Sequence, residues 1–481
     1  MKQTELLTKI QNGHCVLLGF GISNKPLVAW LMAHGARRVT VRDKRTCDQM
    51  RDCGDMEAIL SQGAEVICGE DYLKDMEGDV LFRTPGLRPD APEITAAVKA
   101  GAVLTSEMEL FLDVTEATVI GITGSDGKTT TTTLTALFLE KEAEIRGDFR
   151  VWRGGNIGNP LLPEVEHMTA RDVAVVELSS FQLMTAPRSV HRAVLTNISP
   201  NHLDWHPDMA EYIEAKRHIF AHEPCERLVV NAENDIVREM ALTAAVPVTR
   251  FSSKRVGFEE VWQDANGAGA VYVRDGVICL SDGTSEMPVL PTSMIRVPGW
   301  HNVENFMAAI AVTAGLVSIE AVQKTAQTFT GVAHRQELVR EHKGVRYFNS
   351  SIDSSPSRTT TALRAMSEIG VRPIIICGGR DKKIPFDTLA DALCQYAKSV
   401  VLTGEARGQI WDALMVCPDF DPERLPVTVV PEFEKAVKTA CGLASEGDVV
   451  LLSPACTSFD AFRHFDERGD AFKKIVNEWD S

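Results

Sequence analysis

The stretch TGSDGKTTTTT, Thr123 to Thr133, combines two glycines, a lysine and a row of hydroxyls directly after the apolar run ATVIGI. A glycine turn between a strand and a helix exposes backbone N–H groups, and these attract phosphate together with the helix N-terminus. Lys128 would supply a positive charge for the terminal phosphates, and the Thr129 hydroxyl would ligate Mg²⁺. Because position 122 is isoleucine where such loops carry their first glycine, the stretch predicts a variant phosphate-binding loop. The alternative is an ordinary turn with an exposed lysine.

Polar residues also follow two further apolar stretches. In VAVVELSS, Glu177 ends the predicted buried strand. A carboxylate at the carboxyl edge of a parallel sheet is a natural metal ligand. The alternative for Glu177 is a solvated charge at a strand end. His202 and Asp204 follow a second strand in TNISPNHLDWH, where a lone histidine is more often structural than a ligand. Lys216, in YIEAKRHIF, equally fits the solvent side of an amphipathic helix.

Two amides and an arginine occur later in the chain. Asn302 and Asn305, in GWHNVENFMAA, lie one helical turn apart on one face. Paired amides suit the edge of a purine, whereas an N-capping role for Asn302 is the competing interpretation. Arg335, next to His334 in GVAHRQE, could stabilise a transferring phosphate or be a surface residue.

The chain begins with the strand, helix and strand of a βαβ unit. Gly19 and Gly21, at the end of CVLLGFG, form the turn, and Asp43 ends the second strand, where dinucleotide-binding units place a ribose-binding acid. Asn24 replaces the third glycine of that fingerprint. The pattern is therefore compatible with a nucleotide site or simply with a tight turn.

Composition excludes several classes of protein. The 481 residues are too many for one hydrophobic core, and the net charge of −16 argues against general binding to nucleic acid or to anionic membranes. No apolar run is long enough to span a membrane, and the first residues lack the apolar core of a signal peptide. The 11 cysteines form no C-x-x-C pair, which favours reduced thiols over a disulfide framework or a zinc site.

Strands alternate with helices throughout, which predicts an α/β fold with parallel, doubly wound sheets. A first α/β block precedes the phosphate-binding loop, a second begins with it and contains a β-rich excursion near position 270, and a third begins near GVRYFNSS.

Nine motifs together resemble one known family. They are ITGSDGKTT, GGNIG (154–158), ELSSFQL (177–183), NHLDWH, YIEAK, GWHNVEN, GVAHR, GGRDKK and SPACTSFDAFRHFDERGDAF (453–472). Their order is that of the Mur ligases, which build the peptide of bacterial peptidoglycan, and the resemblance covers nearly the whole chain. The last motif and the G-x-G start resemble the members that add D-glutamate.

The resemblance implies a three-domain enzyme. A Rossmann-like domain (1–112) would hold the UDP-sugar, a central domain (113–330) would bind ATP, and a Rossmann-like C-terminal domain (331–481) would bind the amino acid. The implied reaction joins D-glutamate to UDP-N-acetylmuramoyl-L-alanine through an acyl phosphate, with ATP, Mg²⁺ and a carbamylated Lys216. The implied protein is a cytoplasmic monomer that acts on small molecules and binds neither nucleic acid nor membrane.

The resemblance also implies site residues. The catalytic residues would be Lys128, Glu177, His202 and Lys216, and the metal ligands Thr129, Glu177, His202 and Lys216. ATP would contact Gly124, Ser125, Asp126, Gly127, Lys128, Thr129, Thr130, Asn302, Asn305 and Arg335. The UDP-linked substrate would contact Gly21, Ile22, Ser23, Asp43, Thr84, Pro85, Gly86 and Asn156. D-glutamate would contact Ser354, Lys382, Ser458, Phe459 and Phe465.

One loop departs from the family pattern. Family members often carry Asp-Ser-Lys-Ala-Thr after FN, whereas this chain has Ser-Ser-Ile-Asp-Ser at 350–354. The usual ribose-binding aspartate and the lysine two positions later are missing, and Asp353 or Arg358 are the candidate replacements. Ser354 keeps the hydroxyl of the threonine position.

Other functions compete with this one. Within the same class, the rivals are sibling muramoyl-peptide ligases and a folylpolyglutamate-type enzyme. A noncatalytic nucleotide-binding regulator would bind ATP without releasing phosphate in response to an amino acid. A dehydrogenase is suggested only by the GFG turn.

Overall fold

The computed structural model describes residues 1–156, 158, 160–261 and 267–480. These residues form two compact units: the first comprises 1–290 and 305–325, and the second comprises 291–304 and the residues from 326 onward. Ile157 of the GGNIG motif, and residues 262–266 of the expected β-rich excursion, lie outside the described residues. In the described part of the chain, no helix is both long and apolar enough to cross a membrane.

The first sheet is entirely parallel, with strand order β3-β2-β1-β4-β5. Its central strands are buried on both faces, as expected for parallel strands covered by helices. The elements of this region are α1 (Glu5–Ile10), β1 (His14–Leu18), α2 (Leu27–Ala33), β2 (Arg38–Asp43), α3 (Cys47–Asp52), α4 (Asp55–Ser61), β3 (Glu65–Cys68), β4 (Val80–Arg83), α5 (Pro92–Lys99), β5 (Val103–Thr105) and α6 (Glu107–Val114).

The second sheet has nine strands in the order β14-β13-β12-β11-β10-β9-β6-β8-β7. The strands from β7 to β12 pair in parallel, and β13 adds to β12 in the antiparallel sense. The elements are β6 (Thr118–Thr123), α7 (Lys128–Arg146), β7 (Val151–Gly155), β8 (Val173–Glu177), α8 (Ser180–Leu183), β9 (Arg192–Leu195), α9 (Met209–Arg217), β10 (Arg227–Asn231), α10 (Asp235–Leu242), β11 (Val248–Ser252), α11 (Phe258–Val261), β12 (Gly267–Arg274), β13 (Val277–Ser281), β14 (Glu286–Pro291), α12 (Trp300–Thr313) and α13 (Ile319–Thr328).

The third sheet has six strands in the order β15-β16-β20-β17-β18-β19. All its pairs are parallel except that between β15 and β16. The elements are β15 (Glu337–His342), β16 (Val345–Asn349), α14 (Pro356–Glu368), β17 (Ile374–Gly378), α15 (Asp387–Tyr396), β18 (Ser399–Thr403), α16 (Arg407–Val416), β19 (Val427–Val429), α17 (Phe433–Leu443), β20 (Val449–Leu452) and α18 (Phe465–Glu478).

Three parallel-rich sheets with intervening helices confirm the predicted α/β fold class. The domain boundaries at 112/113 and 330/331 stay predictions. One apolar core runs through the first unit, from Leu7 to Val248, and packs helices against both the first and the second sheet.

The expectation that all cysteines are reduced is wrong for one pair. Cys47 and Cys68 form a disulfide, with 5.5 Å between their Cα atoms. Cys47 opens α3 just after β2, and Cys68 ends the neighbouring β3, so the parallel pairing of these strands brings the two residues together. Sequence spacing could not identify this pair because it depends on strand order.

Helix α6 carries a buried carboxyl group whose titration should affect stability. Glu107 accepts a hydrogen bond from the backbone N–H of Leu162 (3.1 Å), and burial raises its pKa from 4.5 to about 7. Below the ordinary pKa the group is protonated in both the folded and the unfolded state. Above about pH 7 it is ionised in both states, and the folded state bears the full cost of burying the charge. The contribution of Glu107 to the free energy of unfolding therefore decreases as the pH rises from 4.5 to about 7.

We therefore expect Glu107→Gln, which keeps the acceptor oxygen, to stabilise the fold at pH 8 by up to about 3 kcal/mol. The gain should shrink towards pH 5 and vanish near pH 4. Thermal unfolding across this pH range measures it, with Glu57→Gln on the exposed side of α4 as the control. A gain that does not depend on pH would contradict the assignment.

Candidate active site

The loop between β6 and α7 is built around two glycines with positive φ. Gly124 has φ +147° and Gly127 has φ +80°, conformations that residues with a Cβ rarely adopt. A Cβ on Gly124 would lie 2.0 Å from Thr196 Oγ1, and one on Gly127 would lie 2.6 Å from Asn305 Oδ1. Both positions therefore require glycine, and the loop has the tight path that brings backbone N–H groups close to a phosphate.

Residues just after β9 hold this loop in place. The backbone N–H of Ser125 donates to Asn197 O (2.8 Å), and that of Asp126 donates to Asn197 Oδ1 (2.8 Å). Thr196 Oγ1 donates to Asp126 O at 2.6 Å. Sequence reasoning missed Thr196 and Asn197, although their position at the end of a strand adjacent to β6 is the signal that could have found them.

Helix α7 begins at Lys128 with no side-chain cap on its N-terminus. Its first N–H groups therefore point into the loop, where a bound anion would be stabilised. Lys128 Nζ donates to the carbonyl oxygens of Gly124 (3.0 Å) and Ser125 (2.9 Å), so its charge lies over the loop. Thr130, also in the predicted ATP set, lies buried in the first turn.

Thr129 and Asn156 both contact the buried carboxylate of Glu177. Thr129 Oγ1 donates to Glu177 Oε2 (2.8 Å), and Asn156 Nδ2 donates to Glu177 Oε1 (3.0 Å). Pairing of β6 and β7 with β8 places these residues at one edge of the second sheet. The structure thus brings together a hydroxyl and a carboxylate, which are hard oxygen donors suited to Mg²⁺.

Lys216 lies on α9 and is buried rather than exposed, which contradicts the solvent-face alternative. Its Nζ donates to Gly124 O (2.9 Å) and Thr123 Oγ1 (3.2 Å), and it lies 4.8 Å from the centre of the Tyr212 ring. Burial lowers the pKa of the Lys216 ammonium well below its ordinary value, and the neighbouring charge of Lys128 lowers it further. The amine is therefore adjacent to the phosphate-binding loop.

His202 lies in the turn after β9 with φ +56°. The edge of its ring contacts Phe181, with 5.0 Å between ring centres. Burial lowers the pKa of His202, and the charges of Lys128 and Lys216 contribute to this shift while Asp204 opposes it. His202 is therefore within electrostatic range of Lys128, in the loop, and of Lys216, on α9.

The two predicted adenine-side amides have different surroundings. Asn305 Oδ1 accepts a hydrogen bond from Thr131 Oγ1 (3.2 Å), next to Gly127 of the loop. Asn302 Nδ2 donates to Pro298 O (2.6 Å). Because α12 begins at Trp300, Asn302 is inside the helix, and the N-capping alternative is wrong.

At the predicted uridine site, Asn24 occupies the position of the third glycine, and its side chain closes the turn. It is fully buried, and its Nδ2 donates to Gly19 O (2.8 Å). Asp43 accepts hydrogen bonds from the Phe20 N–H (2.8 Å) and from both the backbone and the guanidinium of Arg45. These hydrogen bonds outweigh burial and hold the pKa of Asp43 below its usual value.

The neighbouring residues of this predicted site differ in exposure. Ile22 is 75% exposed and Ser23 is partly buried, so Ile22 is accessible to a ligand. Thr84 approaches the turn, because a Cβ on Gly21 would lie 3.5 Å from its Oγ1. Pro85 and Gly86 complete the loop after β4. Asn156 lies instead at Glu177, in the second sheet.

In the second unit, the predicted D-glutamate residues come from the ends of β16, β17 and β20. Lys382 Nζ donates to Ser354 Oγ at 3.0 Å. Ser458 is buried, whereas Phe459 and Phe465 are exposed. Arg468, which sequence reasoning missed, is buried and donates to backbone carbonyls that include Cys456 O and Thr457 O, fixing the chain just before Ser458.

In the loop at 350–354, which departs from the family pattern, the two candidate replacements differ in burial. Asp353 is buried and accepts a hydrogen bond from Ser453 Oγ (2.9 Å), and burial raises its pKa. Arg358 is exposed on the first turn of α14. The charges of Arg335 and Arg358 both act on Asp353 and oppose the effect of burial on its pKa. His334 has φ +63° and contacts Asn349 (3.1 Å).

Within the described ranges, no group of three or more His, Cys, Asp or Glu side chains could hold a metal ion by itself. Mg²⁺ usually takes only one or two protein carboxylates and completes its shell with water and substrate phosphates. The Thr129–Glu177 pair beside the loop fits that mode of binding and does not fit a closed structural metal site.

A phosphate-binding loop on a parallel sheet, with oxygen donors at the adjacent strand end, defines a nucleotide-binding α/β protein. Residues 122–313 match the Mur ligase middle domain, and residues 334–456 match the Mur ligase glutamate ligase domain. The chain belongs to the Mur ligase family.

Curated relatives cover almost the full chain. The UDP-N-acetylmuramoylalanine–D-glutamate ligase of Acetivibrio thermocellus is 43% identical over 99% of this chain and 98% of its own. The enzyme of the same name from Clostridium novyi is 42% identical over 99% of this chain and 100% of its own. The solved UDP-N-acetylmuramate–alanine ligase of Thermotoga maritima, 19% identical, has a TM-score of 0.57 over 97% of this chain and 99% of its own, which supports the fold.

Proposed function

We propose that this chain is an ATP-dependent ligase that joins D-glutamate to UDP-N-acetylmuramoyl-L-alanine and releases ADP and phosphate. The observation that carries the proposal is identity of 40–43% with relatives of that printed name over nearly the whole chain. The C-terminal motif of 453–472 favours D-glutamate over the amino acids used by sibling ligases. We further infer that the enzyme works as a cytoplasmic monomer.

The reaction must convert a carboxylate, which is a poor electrophile, into an acyl donor. In the proposed sequence, a carboxylate oxygen of the muramoyl-alanine attacks the γ-phosphorus of ATP, and ADP leaves. The D-glutamate amine then attacks the acyl carbon, loses a proton, and expels phosphate. Positioning and charge neutralisation supply the rate enhancement for such phosphoryl transfer.

The residues of the loop have roles that follow from their positions. The uncapped N-terminus of α7 binds the phosphates, and Lys128 neutralises charge that develops between the β- and γ-phosphates. Thr129 and Glu177 would hold Mg²⁺, which neutralises phosphate charge when bound. Asn156 orients the Glu177 carboxylate through its hydrogen bond.

We propose that Lys216 carries a carbamate in the active enzyme. An ammonium close to Mg²⁺ would be repelled, and the lowered pKa of the buried amine favours the neutral form that reacts with CO₂. The N–C bond forms as the amine attacks CO₂, and one proton leaves the nitrogen. The resulting carboxylate would be a hard oxygen ligand beside the phosphate-binding loop. His202 would lie near the acyl carbon.

For D-glutamate, we propose that Lys382 pairs with one carboxylate and that Ser458 and nearby backbone N–H groups bind the other. Phe459 and Phe465 would flank the aliphatic part of the substrate. A cation and a set of donors favour a dicarboxylic amino acid over a basic one.

The experiment combines the purified chain with ATP, Mg²⁺, UDP-N-acetylmuramoyl-L-alanine and D-glutamate. We expect ADP, phosphate and the amide product in equal amounts, measured by coupled assay and mass spectrometry. ATP binding without amide formation would instead identify the chain as a noncatalytic regulator.

A further inference from the structure

We propose that Arg88 is a positioning residue for the ligation reaction. Together with Trp205, His206 and Glu211 it forms the Arg88 network, which joins the loop after β4 to the turn that carries His202. The inference rests on the proposed function, because it concerns where the UDP-linked substrate lies relative to that turn. None of the motifs that indicate the family includes Arg88.

Arg88 is bound on two sides. Its guanidinium donates two hydrogen bonds to Glu211, both at 3.0 Å, and two to Asp90, both at 2.8 Å. It also donates to Trp205 O (3.0 Å) and lies 4.8 Å from the centre of the Trp205 ring. The planar guanidinium suits this combination of two bidentate pairs and one stacked ring, which lysine could reproduce only in part.

Trp205 joins the substrate loop to the His202 turn. Its indole Nε1 donates to Gly86 O at 3.0 Å, and its backbone N–H donates to His202 O at 3.1 Å. Gly86 belongs to the predicted uridine-nucleotide loop. A shift of Trp205 would therefore move the loop and the turn together.

His206 joins the same turn to the end of β8. It is fully buried, with Nδ1 2.8 Å from Glu211 Oε1 and Nε2 2.9 Å from Ser180 Oγ. Its backbone N–H donates to His202 O at 2.9 Å. Ser180 begins α8, three residues after Glu177 at the end of β8.

Phe181 packs at the centre of the network. Its ring stacks on His206, with 5.6 Å between centres and 4° between planes, and lies edge-on to Trp205 and His202 at 4.7 and 5.0 Å. His202 holds a left-handed backbone conformation, which a histidine keeps only where its surroundings impose it. The packed rings and the two bonds to its carbonyl oxygen impose that conformation.

The Arg88 network also includes a residue of α9, the helix that carries Lys216. Glu211 lies in the first turn of α9, where its N–H donates to the capping Asp208 (2.9 Å), and Lys216 follows on the same helix. Arg88 thus connects the substrate loop with the turn that carries His202 and with the helix that carries Lys216.

The test compares Arg88→Met with the control Asp90→Asn, which removes only the outer, exposed pair of Arg88. We expect Arg88→Met to raise the KM for UDP-N-acetylmuramoyl-L-alanine and to lower kcat, each by about 10-fold or more, with the KM for ATP unchanged. Arg88→Lys should recover part of the loss. Asp90→Asn should stay within about twofold of the wild type.

Hydrogen exchange supplies a readout that does not depend on activity. In Arg88→Met, segments 84–90 and 200–211 should both exchange faster, whereas Asp90→Asn should leave 200–211 unchanged. If the wild-type chain forms no amide product, the proposed function fails, and this exchange result still tests the network. Faster exchange in 84–90 alone, or wild-type kinetics in Arg88→Met, would overturn the inference.

Trp205→Phe is the second variant, in case Arg88→Met does not fold. It keeps a ring against Phe181 and removes the N–H donor to Gly86. The same rise in the KM for the UDP-linked substrate, at an unchanged KM for ATP, is expected. An unchanged KM for the UDP-linked substrate would contradict the link through Gly86.

Discussion

Replacing Lys128 with alanine is expected to lower the rate of phosphate release by about 10²- to 10³-fold or more while the fold remains intact. The lysine lies over the phosphate-binding loop and bonds to loop carbonyls, and the apolar core does not depend on it. Steady-state phosphate release and thermal unfolding measure the two parts of this prediction. Lys141→Ala, on the same helix with a partly exposed ion pair to Glu144, should retain activity.

The same variant has an electrostatic consequence. The charge of Lys128 contributes to lowering the pKa of both His202 and Lys216, so its removal should raise both values. NMR titration of the histidines would detect the change for His202. A folded Lys128→Ala protein that releases phosphate at the wild-type rate would contradict the assignment of the phosphate-binding loop.

The second large effect is expected at Lys216. Lys216→Ala should lower turnover by about 100-fold or more, because it removes both the buried amine and the proposed carbamate ligand. Wild-type activity should fall in CO₂-depleted buffer and recover on addition of bicarbonate. With ¹³C-labelled bicarbonate, the wild type should show a carbamate NMR signal that Lys216→Ala lacks.

Arg217→Ala is the matched control for Lys216, because this neighbouring residue is only partly buried and pairs with Glu214. It should keep both the carbamate signal and the dependence on CO₂. Full activity of the wild type in CO₂-free buffer, without a carbamate signal, would rule out the modification.

The sequence predicted the parallel α/β fold because alternating apolar strands and helices are local patterns. The same is true of the phosphate-binding loop: the strand, glycines, lysine and hydroxyl are contiguous, and local geometry follows from them. Thr129 and Glu177 are far apart in the chain, yet both follow strand ends of one parallel sheet, and sheet topology brings them together.

Contacts that depend on loop packing were not predictable. Arg88 lies outside any periodic pattern, and its bond to Glu211 depends on how the loop after β4 meets the first turn of α9. In the sequence, Lys216 fits the solvent-facing side of an amphipathic helix equally well. That spacing does not indicate that its long side chain reaches Gly124 in the phosphate-binding loop. The disulfide between Cys47 and Cys68 likewise required the order of the strands.

The loop at 350–354 shows where resemblance alone is insufficient. Its residues differ from the family pattern, and Asp353, one of the two candidate replacements, is buried against Ser453. Arg358 is the exposed candidate. Both residues stay predicted replacements for the ATP contacts of this loop.

Phosphate release with four amino acids tests whether ligation is specific for D-glutamate. The wild-type chain, ATP, Mg²⁺ and UDP-N-acetylmuramoyl-L-alanine are combined with D-glutamate, L-glutamate, L-lysine or meso-diaminopimelate in turn. We expect rapid release only with D-glutamate, matched by formation of the amide product. Faster release with L-lysine or meso-diaminopimelate, or no dependence on any amino acid, would contradict it.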